Sequence, residues 1–339
     1  MHRAFLPAPS LAPTATPTAT PAEPIDRPRI GLALGGGSAR GYAHIGVLES
    51  LERGGVSPDV VVGTSFGAVV GALWAAGKSP SAMRLDAERL RRRDVFPHIV
   101  DIGVGRGALL AGDRLEAYFD RLLEGRHFAD LSRSFAVVAT DLDSGCRVVF
   151  REGPLAPVLR ASASLPGLFA PAHIGGRRLI DGGIGTPVPL DTLADFDVDI
   201  ALGIGVGVDV VDSRALRVAR RALRSRAGRA TRGMFRVRPG AAPRASGSWE
   251  GLGRAVALTV DAWSVDGVVA PERSGRLHVQ TRPPISWLRF DRAGLAIAAG
   301  DAAMEVAWPR LRIALAGARA GSSSGPAPTK SVVAPLLLP

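Results

Sequence analysis

The sequence predicts an α/β fold of three layers, α/β/α, built around a mostly parallel central sheet. Three observations carry this reading. Apolar runs of strand length recur along the chain, and the first two each end in a glycine-rich turn that opens a helix. At 339 residues with 46% hydrophobic content, the chain is also long enough to bury a full core.

The elements follow in order. Ile30 to Leu34 reads as a buried strand running into Gly35-Gly36-Gly37-Ser38-Ala39-Arg40-Gly41. The helix after it carries Ile45, Leu48 and Leu51 at helical spacing and stops at Gly54-Gly55. Val60 to Val62 is a second strand, followed by Gly63-Thr64-Ser65-Phe66-Gly67 and a small-residue helix from Ala68 to Ala76. Arg84 to Arg93 and Asp113 to Leu123 read as charged helices. Phe135 to Ala139 is a strand whose hairpin turns at Asp143-Ser144-Gly145, and Ala172 to Ile174 pairs with Arg177 to Ile180 through Gly175-Gly176. Ile200 to Val206 is another buried strand, and Leu277-His278-Val279-Gln280 a short apolar one. Gly251 to Ser264 and Arg292 to Leu315 are expected as helices, the last bent at Pro309. The single cysteine, Cys146, excludes an intrachain disulfide and is expected in the core beside the strand Arg147 to Phe150.

The ends have a different composition. Residues 1–28 repeat Pro, Ala and Thr, and residues 319–339 contain Ser322-Ser323-Ser324-Gly325-Pro326; neither can make a packed core, so both are expected to be disordered around one domain at 29–318. No continuous apolar stretch resembles a signal peptide or reaches membrane-spanning length, which predicts a cytoplasmic protein. No cysteine–histidine cluster has metal-ligand spacing, and no metal or cofactor is expected.

Charge is concentrated. The net charge is +11, and the segment Ser213 to Trp249 holds eleven arginines without one acid, so the remaining 31 basic residues balance the 31 acidic ones. Leu216, Ala219 and Leu223 form one stripe between arginines, as in a basic amphipathic helix. A solvated basic face is the plain reading; a contact between Arg214 to Arg238 and anionic lipid at the inner membrane face is the functional one. Phe235 is the one aromatic before Trp249 in this run, which leaves little to stack on bases and argues against nucleic acid.

Chemistry enters at Ser65. A serine between strand and helix, flanked by Gly63 and Gly67, is lifted clear of the sheet, as suits a nucleophile, although such turns also occur without chemistry. The glycines after the first strand leave amides pointing outward beside a helix dipole and suit an anion. A dinucleotide phosphate fits poorly. Arg40 stands where the last glycine of the fingerprint belongs, and the second strand ends in Gly63-Thr64-Ser65 instead of a ribose-binding acid. An oxyanion beside Ser65 fits better. Asp181-Gly182-Gly183 then offers a base; alone it reads as an ordinary turn.

Together these motifs resemble the patatin-like phospholipases, particularly their compact bacterial members. The resemblance rests on Gly35-Gly36-Gly37 with Arg40-Gly41, on Gly63 to Gly67, on Arg160 to Pro166 running to Phe169 and Pro171, and on Asp181-Gly182-Gly183, in that order. It covers residues 29 to 205 well and 250 to 317 loosely. It implies a serine acyl hydrolase acting on phospholipids, lysophospholipids or similar acyl esters, without a cofactor. Ser65 would be the nucleophile and Asp181 its partner in a dyad. Gly35, Gly36, Gly37 and Ser38 would form the oxyanion hole. Arg40, with Gly41, would hold the loop or meet lipid phosphate, and Gly182 and Gly183 would complete the aspartate motif. A dyad needs a buried aspartate, because an ordinary carboxyl near pKa 3.9 is a poor base at neutral pH. The rival is a Ser-His-Asp triad using His278, the one histidine that follows both Ser65 and Asp181. His44, within the first helix, reads as packing or as a support behind the site. A non-catalytic, membrane-associated regulator on the same fold is the alternative of a different class.

Overall fold

The computed structural model describes residues 27–90, 100–101, 108–207 and 275–321. The Arg-rich segment 213–249, the expected helix 251–264, residues 1–26 of the N-terminal segment and the tail beyond 321 lie outside the described residues.

Five parallel-running strands form the body of the sheet: β1 (Ile30–Leu34), β2 (Val60–Thr64), β3 (Ser134–Asp141), β7 (Ile200–Val206) and β8 (Arg276–Thr281). β2 and β7 pair on either side of β1, β8 follows β7, and β3 pairs β2. Three antiparallel strands extend it: β4 (Arg147–Phe150), β5 (Ala172–Ile174) and β6 (Arg177–Asp181). The β5–β6 turn uses Gly175 at φ +56° and Gly176 at φ +71°, the left-handed pair that a two-residue hairpin requires.

The central strands are buried almost throughout while successive side chains alternate in direction, so the sheet presents two covered apolar faces. Leu32, Leu34, Val61, Phe135 and Val137 point to one face. There they meet α1 (Ala43–Arg53), α2 (Phe66–Ala75) and the long C-terminal helix at Ala293–Gly321. Ala33, Val60, Val62, Ala136 and Val138 point to the other, where Leu193 of the short 3-10 helix Leu190–Asp195 covers them with Phe196 and Val198. Helices therefore flank the central sheet. The remaining helices are α3 (Pro80–Arg89), started by Ser79, whose Oγ accepts from Ala82 N–H with Pro80 next in line; α4 (Asp113–Leu122); α5 (Leu155–Ser162); and α6, the C-terminal helix, which runs on through Pro309.

Cys146 corrects the sequence reading: it is exposed. It lies in the turn before β4, its N–H donating to Ser144 Oγ at 3.2 Å, so the strand-like run after it says nothing of its own environment.

Candidate active site

The register of β3 decides which residues meet. Val137 and Val138 pair with Gly63 and Thr64 of β2 on one edge and with Phe150 and Val149 of β4 on the other. The next residues, Ala139 and Thr140, keep β4 on that second edge but pair with Asp181 and Ile180 of β6. A strand has two edges, so β6 occupies the edge that β2 has just vacated. The two strands run toward each other, C-terminus to C-terminus. Thr64 sits opposite Val138 and Asp181 opposite Ala139, which brings Ser65, one step past Thr64, against Asp181.

Ser65 is turned out of the strand sharply, at φ +53° and ψ −126°, a conformation costly for a side chain with a Cβ and held by its surroundings. The flanking glycines allow the close approach. A Cβ on Gly63 would lie 2.3 Å from Ala68 Cα, and one on Gly67 2.4 Å from the Leu34 carbonyl oxygen. Both obstacles are backbone, which has nowhere to go.

The Ser65 hydroxyl donates to Asp181 Oδ2 at 2.6 Å, and Gly183 N–H donates to Asp181 Oδ1 at 2.7 Å. Asp181 itself is buried, 6% exposed. Burial raises its pKa from 3.8 to about 6, against the opposing pull of the two hydrogen bonds. Gly182 passes under β3, where a Cβ would meet the Val138 carbonyl oxygen at 2.2 Å.

Ser162, at the end of α5, was not singled out from the sequence. Its hydroxyl is fully buried, accepts from Ser65 N–H at 2.8 Å and donates to the Val138 carbonyl at 2.6 Å. It thus ties the elbow to β3. The signal available was its place in the segment Arg160 to Pro166; its partner was not readable there. Arg160 of the same segment, also buried, donates to Ser164 Oγ at 3.1 Å and to the Ala111 carbonyl at 2.5 Å, and the Ser164 carbonyl accepts Asp181 N–H at 2.9 Å.

The glycine loop passes over Ser65, with a Cβ on Gly36 falling 3.3 Å from Ser65 Cβ. Two of its four expected oxyanion donors need correction. Gly35 N–H donates to the Ile204 carbonyl and Gly36 N–H to the Pro187 carbonyl, each at 3.0 Å. Those amides finish the sheet and fasten the loop. Gly37 and Ser38 remain as candidates, and Ser38 holds φ +50°, a left-handed conformation unusual for serine. His44 braces the loop from below. Its Nε2 lies 2.7 Å from the Gly35 carbonyl, an acceptor, so Nε2 carries the proton; complete burial lowers its pKa to about 4 and keeps it neutral. Arg40 Nε donates to the Ile285 carbonyl at 2.8 Å, a role in holding the loop. Gly41 abuts Phe66, whose ring would lie 2.7 Å from an added Cβ.

His278 is far from this group. It lies on β8, separated from β2 by β1 and β7, three strand spacings or about 14 Å. Among the described residues no group of three or more His, Cys, Asp or Glu side chains is placed to hold a metal, and no helix is long and apolar enough to cross a membrane.

The family model for patatin-like phospholipases matches residues 32–194, the stretch that holds the glycine loop, Ser65, Ser162 and Asp181. Over this stretch, just under half of the chain, the sequence is similar to that family. The patatin-like region is 37% identical over 167 residues to an uncharacterized NTE family protein of Mycobacterium tuberculosis, covering 49% of this chain and 46% of that protein. It is 34% identical over 166 residues to patatin-like phospholipase domain-containing protein 6 of Mus musculus, covering 48% of this chain and 12% of that one. The match therefore spans less than half of either relative. Among solved structures the chain is similar to VipD from Legionella pneumophila at 14% identity and a TM-score of 0.48, covering 82% of this chain and 67% of that one.

Proposed function

We propose that the protein is a lipid acyl hydrolase that cleaves acyl esters of phospholipids or lysophospholipids through a Ser65–Asp181 dyad. The observation that carries this is the 2.6 Å hydrogen bond from the Ser65 hydroxyl to a buried carboxylate, within the region similar to the patatin-like family.

The chemistry follows from that contact. With its pKa near 6, Asp181 is ionised at neutral pH yet basic enough to take the Oγ proton as Ser65 attacks the ester carbonyl. Gly183 N–H holds the second carboxylate oxygen, so the first stays aimed at Oγ. The Gly37 and Ser38 amides, at the helix end of the glycine loop, stabilise the oxyanion. Asp181 then passes the proton to the departing alcohol, which leaves an acyl-serine. Water, deprotonated by the same carboxylate, attacks the acyl-serine, and the fatty acid departs as the proton returns to Oγ.

A fluorophosphonate probe tests this directly. The adduct should map to Ser65 by peptide mass spectrometry, and Ser65→Ala should lose both labelling and hydrolysis of a short-chain p-nitrophenyl ester. An adduct on another residue, or a full rate in Ser65→Ala, would overturn the proposal.

A further inference from the structure

Trp287 and Leu288, 39% and 44% exposed, stand side by side in the turn between β8 and α6. Single exposed apolar residues are ordinary. This pair differs in how it is held. Ala39 N–H donates to the Trp287 carbonyl at 3.0 Å and Arg40 Nε to the Ile285 carbonyl at 2.8 Å, so the turn is fastened to the glycine loop two residues from Gly37. It is also stiff. Pro283 and Pro284 enter it, Ile285 N–H closes on Pro283 O at 2.8 Å, Arg289 N–H closes on Ser286 O at 3.0 Å, and the Ile285 side chain is buried.

On the aspartate side of the site, Leu109 is 66% exposed. Its N–H donates to the Gly167 carbonyl at 3.3 Å, and Leu110 N–H to Leu168 O at 2.8 Å. That turn follows Ser164, the residue whose carbonyl accepts Asp181 N–H. Bulky apolar groups thus project from the supports of both the oxyanion loop and the base. Between residues 282 and 292 the chain carries Arg282, Arg289 and Arg292 against one acid, Asp291, which Arg289 meets at 2.9 Å and Arg292 at 3.9 Å.

We propose that Trp287 and Leu288, with Leu109 on the aspartate side, form a lipid-contact rim that seats the protein on an anionic bilayer and presents Ser65 to the ester. This rests on the acyl-hydrolase reading. An indole prefers the boundary between headgroups and acyl chains, the surplus arginines meet lipid phosphate, and a turn already pinned loses little freedom on insertion. The net positive rim selects an anionic surface over a plain apolar partner.

The test uses the full chain, vesicles of equal phosphatidylcholine and phosphatidylglycerol, and soluble p-nitrophenyl butyrate. In Trp287→Ser/Leu288→Ser, the ratio of vesicle hydrolysis to soluble-ester hydrolysis should fall about tenfold, with a matching loss of co-sedimentation. An unchanged ratio with unchanged co-sedimentation overturns the rim. If the wild-type protein cleaves neither substrate, the acyl-hydrolase reading fails, and co-sedimentation still decides the rim separately. Should the double variant melt early, Trp287→Phe serves instead. Vesicles should blue-shift the wild-type emission, with the shift reduced in Trp287→Phe; an identical shift in both proteins overturns the proposal.

Discussion

The parallel strands β2 and β1 and the antiparallel hairpin β5–β6 each deliver one part of the site, and they do it differently. In the parallel half, strand, turn and helix are consecutive in sequence, so the shape of the Ser65 elbow is set by local geometry, with the turn at φ +53° and close contacts such as Gly67 against the Leu34 carbonyl. In the hairpin half, Asp181 is placed by pairing. It reaches Ser65 because β6 continues the β3 edge one residue beyond β2. A slip of one residue there would turn its side chain to the opposite face of the sheet. The turn that lifts the nucleophile is set by its neighbours in sequence and then tied down from afar by Ser162, whereas placement of the base depends on the whole hairpin.

The sharpest way to break this comparison is Asp181→Asn. An amide cannot accept the serine proton, so kcat on a soluble ester should fall by about 10³ to 10⁴. The wild-type rate should fall on the acid side of about pH 6, because only the ionised carboxylate is a base. A wild-type rate that stays flat between pH 5 and 8 would show that another group sets it.

The same variant tests the cost of burying the base. The folded pKa of about 6 lies above the ordinary 3.8, so the folded state holds the proton more tightly. Stability from this group is greatest below pH 3.8 and is lost as pH rises through 6. The difference corresponds to about 3 kcal/mol at most. Asp181→Asn should therefore melt higher than wild type at pH 8 and nearly equally at pH 4. His44, whose lowered pKa makes both proteins less stable as pH falls through 6.5 toward 4, cancels in the difference. A variant that melts lower than wild type at pH 8 would contradict the buried-carboxylate account.

Ser162→Ala probes the tie between the halves. It strands Ser65 N–H and the Val138 carbonyl, which should cost about 1–3 kcal/mol in stability and about 10-fold to 100-fold in kcat, with KM little changed. A pure stability loss at full kcat would make Ser162 structural alone. Smallest of all should be His278→Ala, with kcat within about threefold of wild type, since this histidine sits three strands away. Loss of activity equal to that of Asp181→Asn would revive the triad.

Much of the parallel half was legible in the sequence, because apolar runs, glycine turns and helical spacing are local signals. Ile30–Leu34 and Ile200–Val206 form as read, and Val60–Thr64 extends its reading by two residues. The nearness of Ser65 to Asp181 came from the order of motifs, not from any feature of the residues between them. What was not legible depends on pairing at long range. The amides of Gly35 and Gly36 look free in sequence and are taken by Ile204 and Pro187, roughly 150 to 170 residues away. Ser162 has no distinguishing neighbour, and Cys146 owes its exposure to a turn that the adjoining strand obscured.

The family match stops at residue 194, but α6 begins at Ala293 and lies along α1. The two helices cross with backbone nearly touching. A Cβ on Gly46 would fall 2.0 Å from the Ile297 carbonyl oxygen, and one on Gly300 1.9 Å from that of Ala43. Trp308 adds a bolt across the same seam, its Nε1–H reaching Ser50 Oγ at 3.0 Å. The stretch recognisable by ancestry and the stretch that is mechanically continuous therefore have different edges. A methyl group added at Gly300, more than a hundred residues past the last recognisable motif, would push on the helix that carries His44 and, through it, on the floor beneath Gly35.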